Sequence, residues 1–427
     1  MSNPKFALIP SAYKNGNYPS VDGKIYSILP NNGSGDFIVF DRNSQAYKVN
    51  EQKTLELTDT SSPLIDHLYD CPSFVSERNS TNQLTYSEEI TNPAWGTGSS
   101  NVYENETIAP NGELTGDRVE ISDTSATGYI YRTLTLSTNQ WKSFSVFVKN
   151  ANNEQDVVYA EVWNSTDGTW AKVSIRFKDE QVTPSGTYLD YASVDNYSNG
   201  WYRLKLTLKT PSSFSGSNYF RIWGESGYGD SFYVWGAQEE NNRNISSYIP
   251  TVSTTITRSG NDMAGATLEG YNKDEGVLYV DFEPQAASST FGGPSIGIGL
   301  QVFGEYFSIS SRALADDTTY LNFAVFIPYS PVLNYAHTIE TRQRIKCAIV
   351  YRRGLGSPSG YYKVFVNGVL EHTQYASSFP VFSSGTVKMV LGSPTGNNTN
   401  TCDGRFYDFR YYDKLINDNE MRKLTTI

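Results

Sequence analysis

Residues 363–372 read KVFVNGVLEH, two runs of alternating apolar and polar residues on either side of an Asn-Gly pair. Asn and Gly tolerate the two positive φ angles of a type I′ turn, so this stretch predicts a tight β-hairpin. Residues 404–413, GRFYDFRYYD, form another alternating aromatic run and predict a further strand. A short helix should follow, because Asn417 can cap it and Glu420 stands three residues later, as in a capping box. This order of elements predicts a β-sandwich closed by one terminal helical turn.

The last third of the chain, which contains these elements, resembles the laminin-G and concanavalin-A-like lectin domains. The likeness rests on the VFVNG hairpin, the aromatic strand that follows it and the final DNEMRKL turn. The resemblance implies a sandwich fold. It implies no particular ligand, because sandwiches of this kind serve many unrelated functions.

Length and composition extend the β prediction to the whole chain. With 427 residues the protein is too long for one ordinary core, so two or three domains are expected. A low content of charged residues, together with 31 Tyr and 21 Phe, favours strands and turns over helices. The predicted fold class is all-β, with two antiparallel β-sandwich (jelly-roll) domains in tandem after an irregular N-terminal region.

The charge pattern restricts the class of partner. A formal net charge of −11 without any basic run argues against nucleic-acid binding, which depends on clustered Lys and Arg. No apolar stretch is long enough to span a bilayer, so membrane insertion is not expected. The N-terminus lacks the pattern of a secretory signal, which predicts synthesis and folding in the cytoplasm. Cys71, Cys347 and Cys402 are scattered and are predicted to be free thiols.

The middle of the chain has a composition of its own, because all seven Trp lie between Trp95 and Trp235. Alternating runs separated by Gly, Asn and Ser turns predict an antiparallel jelly-roll sandwich here. The predicted strands are residues 128–134, 142–148, 157–163, 170–177, 201–208 and 231–235.

The two ends of this middle block carry a second resemblance. Residues 77–95, ERNSTNQLTYSEEITNPAW, closely resemble the opening T-N-L-L-x-Y-S-E-x-F-x-N-x-x-W of a module common in phage virion proteins. Gln83 and Ile90 stand where that pattern has Leu and Phe. Residues 230–251 are similar to its closing segment, with DSFYVWGAQEE followed by SSYIPT. The segment that precedes the module in phage tail and head-appendage proteins is similar to residues 9–14, 34–37 and 71–73.

This second resemblance implies a virion structural protein, either a head fibre, a capsid decoration or a tail appendage, on the exterior of a phage particle. It implies a middle domain like a carbohydrate-binding module. Expected partners are other virion proteins, bacterial surface glycans and further copies of the chain in a dimer or trimer. The expected domains are an attachment and oligomerisation region at 1–80, a jelly roll at 81–252, a linker at 253–269 and a lectin-like sandwich at 270–427.

Aromatic residues beside turns are the candidates for glycan contact. Trp163, Trp170, Trp223 and Tyr228 lie next to Gly-, Ser- and Asn-rich turns, where rings reach solvent at a sandwich edge. The alternative for each is packing or a subunit contact.

Four other tryptophans are expected to serve the fold. Strand alternation predicts that Trp141, Trp201 and Trp235 point into the core. Trp95 belongs to the opening signature and is predicted to anchor the first strand to the sandwich.

The sequence predicts no catalytic, cofactor or metal site. Asp117, Asp123, Asp230 and Glu239 could supply oxygens to a structural calcium ion, yet no loop motif fixes their spacing. The E-x-D-x-x-E strand of sandwich glycanases is missing, and its nearest approach is the Asp-Phe-Glu at 281–283. His67, His337 and His372 accompany no nucleophile motif.

Two functional alternatives stay open beside a non-enzymatic adhesin of the virion. One is a decoration protein whose lectin-like folds act only as packing blocks. The other is a glycan-degrading tail enzyme, which would need a carboxylate pair in a cleft. Exposed aromatic rings on a sandwich face would favour binding, and rings buried between subunits would favour the structural role.

Overall fold

The computed structural model describes most of the chain. The described residues are 3–12, 20–21, 24–26, 37–60, 62–123, 127–151, 156–224, 229–264, 266–268, 271–285, 294–302, 305–313, 319–327, 330–340, 342–354, 360–376, 387–391 and 403–427. They form 34 β-strands, two 3₁₀ turns and one α-helix, so the all-β prediction is confirmed. No helix in these ranges has the length and hydropathy that a bilayer crossing requires.

The strands follow one another along the chain with few other elements between them. Up to residue 121 the strands are β1 (Phe6–Leu8), β2 (Ser20–Val21), β3 (Lys24–Tyr26), β4 (Phe37–Asp41), β5 (Ala46–Val49), β6 (Leu55–Thr58), β7 (Ile65–Asp66), β8 (Ser73–Ser76), β9 (Ser80–Asn82), β10 (Gly96–Gly98), β11 (Ser100–Ile108) and β12 (Leu114–Ile121). Up to residue 268 they are β13 (Tyr129–Leu134), β14 (Trp141–Asn150), β15 (Val157–Asn164), β16 (Gly168–Arg176), β17 (Gln181–Ser185), β18 (Leu189–Asn196), β19 (Trp201–Lys209), β20 (Asn218–Gly224), β21 (Ser231–Glu240), β22 (Ile256–Arg258), β23 (Asp262–Ala264) and β24 (Ala266–Leu268). The remaining elements are β25 (Glu275–Pro284), β26 (Pro294–Val302), β27 (Glu305–Ala313), β28 (Thr319–Ile327), β29 (Ser330–Thr338), β30 (Ile345–Arg352), β31 (Gly360–Val366), β32 (Val369–Ala376), β33 (Val387–Leu391), β34 (Gly404–Tyr412), α1 (Asp418–Thr425) and the 3₁₀ turns Pro10–Ala12 and Ser198–Gly200.

Spatial contacts divide the chain into two units. Unit 1 comprises residues 1–45, 59–78 and 259–427, and unit 2 comprises residues 46–58 and 79–258. The first 80 residues, which the sequence suggested as one attachment region, contribute strands to both units.

Unit 1 contains a sandwich of two antiparallel sheets. One sheet has the order β32-β31-β30-β25-β34-β8-β7, with β1 paired to β34, and the other has the order β24-β33-β26-β27-β28-β29. Phe307 of the second sheet lies 4.9 Å from the Tyr351 ring of the first, so the sheets pack face to face. Strands β2, β3, β4 and β23 form a smaller third sheet.

The hairpin and terminal helix predicted at the end of the chain are present in unit 1. Asn367 and Gly368 join β31 to β32 with φ angles of 45° and 82°, as a type I′ turn requires. The Asn417 side chain accepts a 3.0 Å hydrogen bond from the Glu420 amide and caps α1. Met421 of α1 is fully buried against the first sheet.

Unit 2 is a second sandwich, with six strands in each sheet. The first sheet has the order β10-β13-β20-β15-β16-β17 and the second β11-β12-β21-β14-β19-β18, all antiparallel. The chain crosses repeatedly between the sheets, as in a jelly roll. The core between them is built from the inward side chains of both sheets, for example Ile222 of β20 and Val146 of β14. The six strands predicted for this block are confirmed.

The opening and closing signature segments bind each other in unit 2, and we call this arrangement the clasp (residues 82–87 with 237–251). Asn82 is fully buried and makes four hydrogen bonds. Its Nδ2 donates to the carbonyls of Ala237 and Ile249 at 3.1 and 2.9 Å, and its Oδ1 accepts from the amides of Leu84 and Glu239 at 3.1 Å each. The signature residue Asn82 is therefore a structural connection between the two ends of the module.

The two ends of unit 2 also form a short ribbon of their own. Strand β9 pairs with β22 in antiparallel register, with Ser80 opposite Arg258. The hydroxyls of Thr81 and Thr257 are 2.7 Å apart across this ribbon. Both ends of the longer segment of unit 2, residues 79–258, therefore lie at one place.

Candidate functional site

The outward side of the first sheet of unit 2 carries a continuous group of aromatic and charged side chains. Alternate residues of β13, β20 and β15 point into the core, so the residues between them point outward. We call the outward group the aromatic face; it consists of Tyr129, Tyr131, Tyr159, Glu161, Trp163, Tyr219, Arg221 and Trp223.

Strand register arranges the aromatic face in rows that run across the sheet. Trp223 is paired with Tyr129 on one side and with Tyr159 on the other. The rings of Tyr159 and Trp223 are stacked, with centroids 3.8 Å apart and an angle of 10° between the planes. In another row Trp163 lies beside Tyr219, with ring centroids 5.8 Å apart. Aromatic pairs of this kind fix one another's orientation.

A buried carboxylate holds the centre of the face. Glu161 is 2% exposed and accepts hydrogen bonds from Arg221 Nη2 at 2.6 Å and from the Trp223 indole at 3.2 Å. The Thr169 hydroxyl donates to its other oxygen. The Arg221 guanidinium in turn lies 4.3 Å from the centroid of the Trp163 ring. The ion pair of Glu161 and Arg221 therefore holds Trp163 and Trp223 in place, so the aromatic face is ordered by its own residues.

Glycines on the edge strand make room for two tyrosines of the face. Gly96 and Gly98 of β10 are paired with Tyr131 and Tyr129. A Cβ atom at Gly96 would lie 2.3 Å from Cζ of Tyr131, and one at Gly98 would lie 2.3 Å from Cζ of Tyr129. The two tyrosine rings therefore pack directly on the glycine backbone, and the aromatic surface extends to the edge strand of the sheet.

The structure separates the four candidate aromatic residues. Trp163 and Trp223 are half-buried members of the aromatic face. The prediction for Trp170 was wrong, because its side chain is fully buried and packs at 5.0 Å on the Phe214 ring. Tyr228 lies outside the described residues.

A β-bulge explains the burial of Trp170. Val162 pairs with Ala171, but the next residue of β15, Trp163, pairs with Thr169, so the alternation of β16 shifts by one residue at this point. Thr169 takes the outward position and Trp170 turns into the core. Simple alternation along β16 cannot reveal such a shift.

Three of the four expected structural tryptophans are buried, but Trp201 and Trp235 are paired with Lys149 and Phe147 of β14 and so lie on the side of their sheet that faces away from the sandwich core. Trp201 and Trp235 are fully buried, and Trp95 is 5% exposed with its indole donating to the Tyr86 carbonyl at 3.0 Å. The prediction for Trp141 was wrong, because it is half-buried on the outward side of β14.

Register gives the reason for the position of Trp141. Phe144 and Val146 of the same strand point into the core, so the odd positions of β14 point away from it. The Trp141 ring instead packs beside two cations, with the Arg243 guanidinium 4.2 Å and Lys209 Nζ 5.2 Å from a ring centroid.

Sequence reasoning missed most of the aromatic face, although its signal is present. Tyr159 and Trp163 lie four residues apart in β15, and Tyr219 and Trp223 lie four residues apart in β20. A spacing of four places both members of each pair on one side of a strand. Which strands become neighbours decides whether the pairs meet, and the order β13-β20-β15 comes from long-range pairing.

The acidic residues considered for calcium have other roles where their contacts are known. Asp117 is buried and accepts from the amides of Ile90 and Asn105 at 2.8 and 2.9 Å. Burial raises the pKa of Asp117 to about 6, although both hydrogen bonds act in the opposite direction. Glu239 forms a buried ion pair with Lys142 at 2.8 Å. Within the described ranges no group of three or more His, Cys, Asp or Glu could hold a metal ion.

The carboxylates at 281 and 283 in unit 1 are also engaged. Both oxygens of the buried Asp281 accept from Arg344 at 2.8 Å. Glu283 accepts from the Tyr407 hydroxyl at 3.1 Å. Each acid therefore has a structural partner in the sheet.

Comparison with known proteins identifies no family. No protein-family model and no curated protein matches the chain. A heptameric SAP-like pentraxin from Limulus polyphemus is 15% identical over 38% of this chain and 72% of its own, with a TM-score of 0.26. Trypanosoma rangeli sialidase in complex with sialic acid is 12% identical over 87% of this chain and 67% of its own, with a TM-score of 0.24. A botulinum neurotoxin type C structure is 9% identical over 87% of this chain and 97% of its own, with a TM-score of 0.20. Similarity at this level carries no argument about function.

Proposed function

We propose that this protein is a non-enzymatic structural component of a phage virion, a head fibre, decoration or tail appendage, whose unit 2 binds bacterial surface glycans. The observation that carries the binding proposal is the aromatic face, in which six aromatic side chains from three neighbouring strands share one outward surface. Contiguous exposed aromatic groups on a folded unit mark binding sites far more often than scattered single residues do.

Sugars suit such a surface for a physical reason. The apolar C–H groups of a pyranose ring pack on aromatic rings, and its hydroxyls need nearby hydrogen-bonding groups. Around the aromatic face those groups are Arg221 and the tyrosine hydroxyls. The Glu161 network keeps Arg221 and Trp223 in position, which reduces the entropy lost when a ligand binds.

The virion role rests on the sequence resemblance of both signature segments. The two segments meet in the clasp through buried hydrogen bonds, as expected if they are the two ends of one module. On this proposal the protein lies on the particle exterior, contacts other virion proteins and forms a dimer or trimer. Recovery of the chain from purified particles by mass spectrometry, and its mass by light scattering, test these statements. Absence from the particles, or a monomer at working concentration, would contradict them.

The glycan proposal is tested with the full chain on an array of bacterial capsular and O-antigen polysaccharides. We expect saturable binding, and a loss of about tenfold in affinity in Trp163→Ala and Trp223→Ala, which corresponds to about 1.4 kcal/mol. Trp141→Ala is the matched control, because it removes a half-buried tryptophan from the other sheet of the same unit. Thermal melting of each variant separates lost binding from lost folding.

Two results would refute the glycan proposal. One is the absence of binding to any polysaccharide. The other is an equal loss in the Trp141→Ala control, which would mean that the aromatic face is not the site. A decoration protein without a ligand would then be the better account, with the stacked Tyr159 and Trp223 rings serving as a contact for another virion protein.

A further inference from the structure

A groove adjoins the aromatic face on the side of β16 and β17. Beyond the stacked rings of Trp223 and Tyr159, the same row continues with Ser174 and Thr183. Two large rings are thus followed by two small hydroxyl side chains, so the surface of the sheet is lower at Ser174 and Thr183 than at Tyr159. The resulting groove encloses about 260 Å³, and its lining includes Tyr159, Lys172, Ser174, Arg176, Thr183 and Ser185.

The lining has the composition of a sugar site. Tyr159 forms an aromatic wall, and its ring is held in place by Trp223 on its other side. The opposite side of the groove is polar, with the hydroxyls of Thr183 and Ser185 on the edge strand. Ring stacking on one side and hydroxyl partners on the other match the two kinds of surface that a pyranose presents.

A basic residue lies at each end of the groove, and the two residues differ in their acidic neighbours. Lys172 and Arg176 stand two residues on either side of Ser174, so they lie roughly 13 Å apart along the strand. Arg176 has acidic neighbours, with Asp179 at 3.5 Å and Asp156 at 3.8 Å. Lys172 lies 5.2 Å from the Tyr159 ring centroid and makes no ion pair in the described part of the chain.

The acid paired with Lys172 across the strands is bound to other residues. Glu161 is the direct cross-strand partner of Lys172. Its carboxylate is occupied by Arg221, Trp223 and Thr169. Lys172 therefore contributes a positive charge to the lining of the groove, in a protein whose formal net charge is −11. Among the described residues Lys172 contacts the rings of Tyr159 and Trp223 and makes no ion pair, and a cation in this position favours an anionic group on the ligand.

We propose that this groove binds a carboxylated sugar unit of a surface polysaccharide, with the sugar ring against Tyr159 and the carboxylate at Lys172. The inference rests on the proposed glycan-binding function and adds the ligand class. It predicts a preference for uronic-acid polymers over neutral polymers with the same backbone. Hydroxyls of the sugar are expected to bind Thr183 and Ser185.

The test compares hyaluronan, alginate and polygalacturonate with their carboxyl-reduced derivatives, using the full chain and calorimetry. We expect at least one acidic polymer to bind about tenfold tighter than its reduced form. Lys172→Gln should abolish that preference, because the affinity for the acidic polymer should fall to that for its reduced form. Lys209→Gln is the matched control, because it removes a lysine beside an aromatic ring on the other sheet of unit 2 and should retain the preference.

The outcomes separate this inference from the proposed function. Equal binding of acidic and reduced polymers, weakened by Trp163→Ala, would overturn the carboxylate inference and leave glycan binding intact. An acid preference that survives in Lys172→Gln would also overturn it. Competition by inorganic sulfate as effective as that by galacturonate would reduce the groove to a simple anion site, which contradicts a sugar unit. Failure of every polymer to bind would overturn both proposals.

Discussion

Removal of the Asn82 side chain should destabilise unit 2 selectively. In Asn82→Ala the carbonyls of Ala237 and Ile249 and the amides of Leu84 and Glu239 lose their partner together. Each buried polar group left without a hydrogen bond costs about 1–3 kcal/mol. At the lower limit the four groups together cost about 4 kcal/mol, a large fraction of the stability of any domain.

Tryptophan fluorescence in urea measures this effect in the intact protein. All seven Trp lie in unit 2, so the signal reports the unfolding of that unit alone. With a slope of about 2 kcal/mol per molar urea, the midpoint should fall by about 2 M. Asn101→Ala is the control, because Asn101 is exposed on β11 and its loss should change stability by less than about 0.5 kcal/mol.

The near-isosteric Asn82→Asp gives a second measurement of the same site. The carboxylate keeps the two acceptor bonds but turns its other oxygen towards two carbonyls. Burial and this repulsion should raise the pKa of the new carboxyl in the folded state, so the variant should lose stability as the pH rises. A midpoint shift below about 0.5 M in Asn82→Ala would show that water replaces the side chain and that the clasp contributes little.

Three other predictions concern unit 2. Lys142→Met should lower the free energy of unfolding of unit 2, measured in urea, by about 3–5 kcal/mol, because Glu239 keeps a buried charge without its partner. A further Glu239→Leu exchange should recover much of the lost stability. If it recovers none, the buried charge is not the cause of the loss. The pKa of Asp117 in the folded state is raised to about 6, so the stability that this residue contributes at low pH is lost as the pH rises to that value. The urea midpoints at pH 5 and pH 7 should therefore differ more in the wild type than in Asp117→Asn. Gly96→Val would place its Cβ 2.3 Å from Cζ of Tyr131 and displace that ring, so glycan affinity should fall several-fold, and unchanged array binding would remove Tyr131 from the site.

The sequence predicts those parts of the fold that local rules govern. The Asn-Gly turn at 367–368 and the cap at Asn417 depend on residues close together in the chain, and both are present. Six strands of unit 2 follow from the alternation of apolar and polar residues, whereas β20, which carries part of the aromatic face, was not predicted.

The candidate site was harder to predict because it depends on register and strand order. Trp170 turns inward at a bulge, and Trp141 points outward because it shares the parity of Ser143 and not of Phe144. Alternation alone does not reveal the bulge at Trp170, whereas it does place Trp141 outward once the core-facing residues of β14 are known. The groove beside Tyr159 exists only because β16 places a small residue, Ser174, next to it, and that pairing joins residues distant from any motif. Aromatic residues spaced four apart in two strands were the only sequence signal for the face.

Each of the two chain segments that form unit 2 has its ends paired with each other, so the unit can be replaced by another domain within the chain. Its longer segment begins and ends in the β9–β22 ribbon, and its shorter segment, 46–58, begins and ends with Ala46 opposite Thr58. Leu55 of the shorter segment donates to the Pro110 carbonyl of the longer one, so the two must be replaced together. A segment whose ends meet can be substituted without rerouting the host chain. Recombination at these two ribbons would replace the whole of unit 2 and leave the strands of unit 1 unchanged.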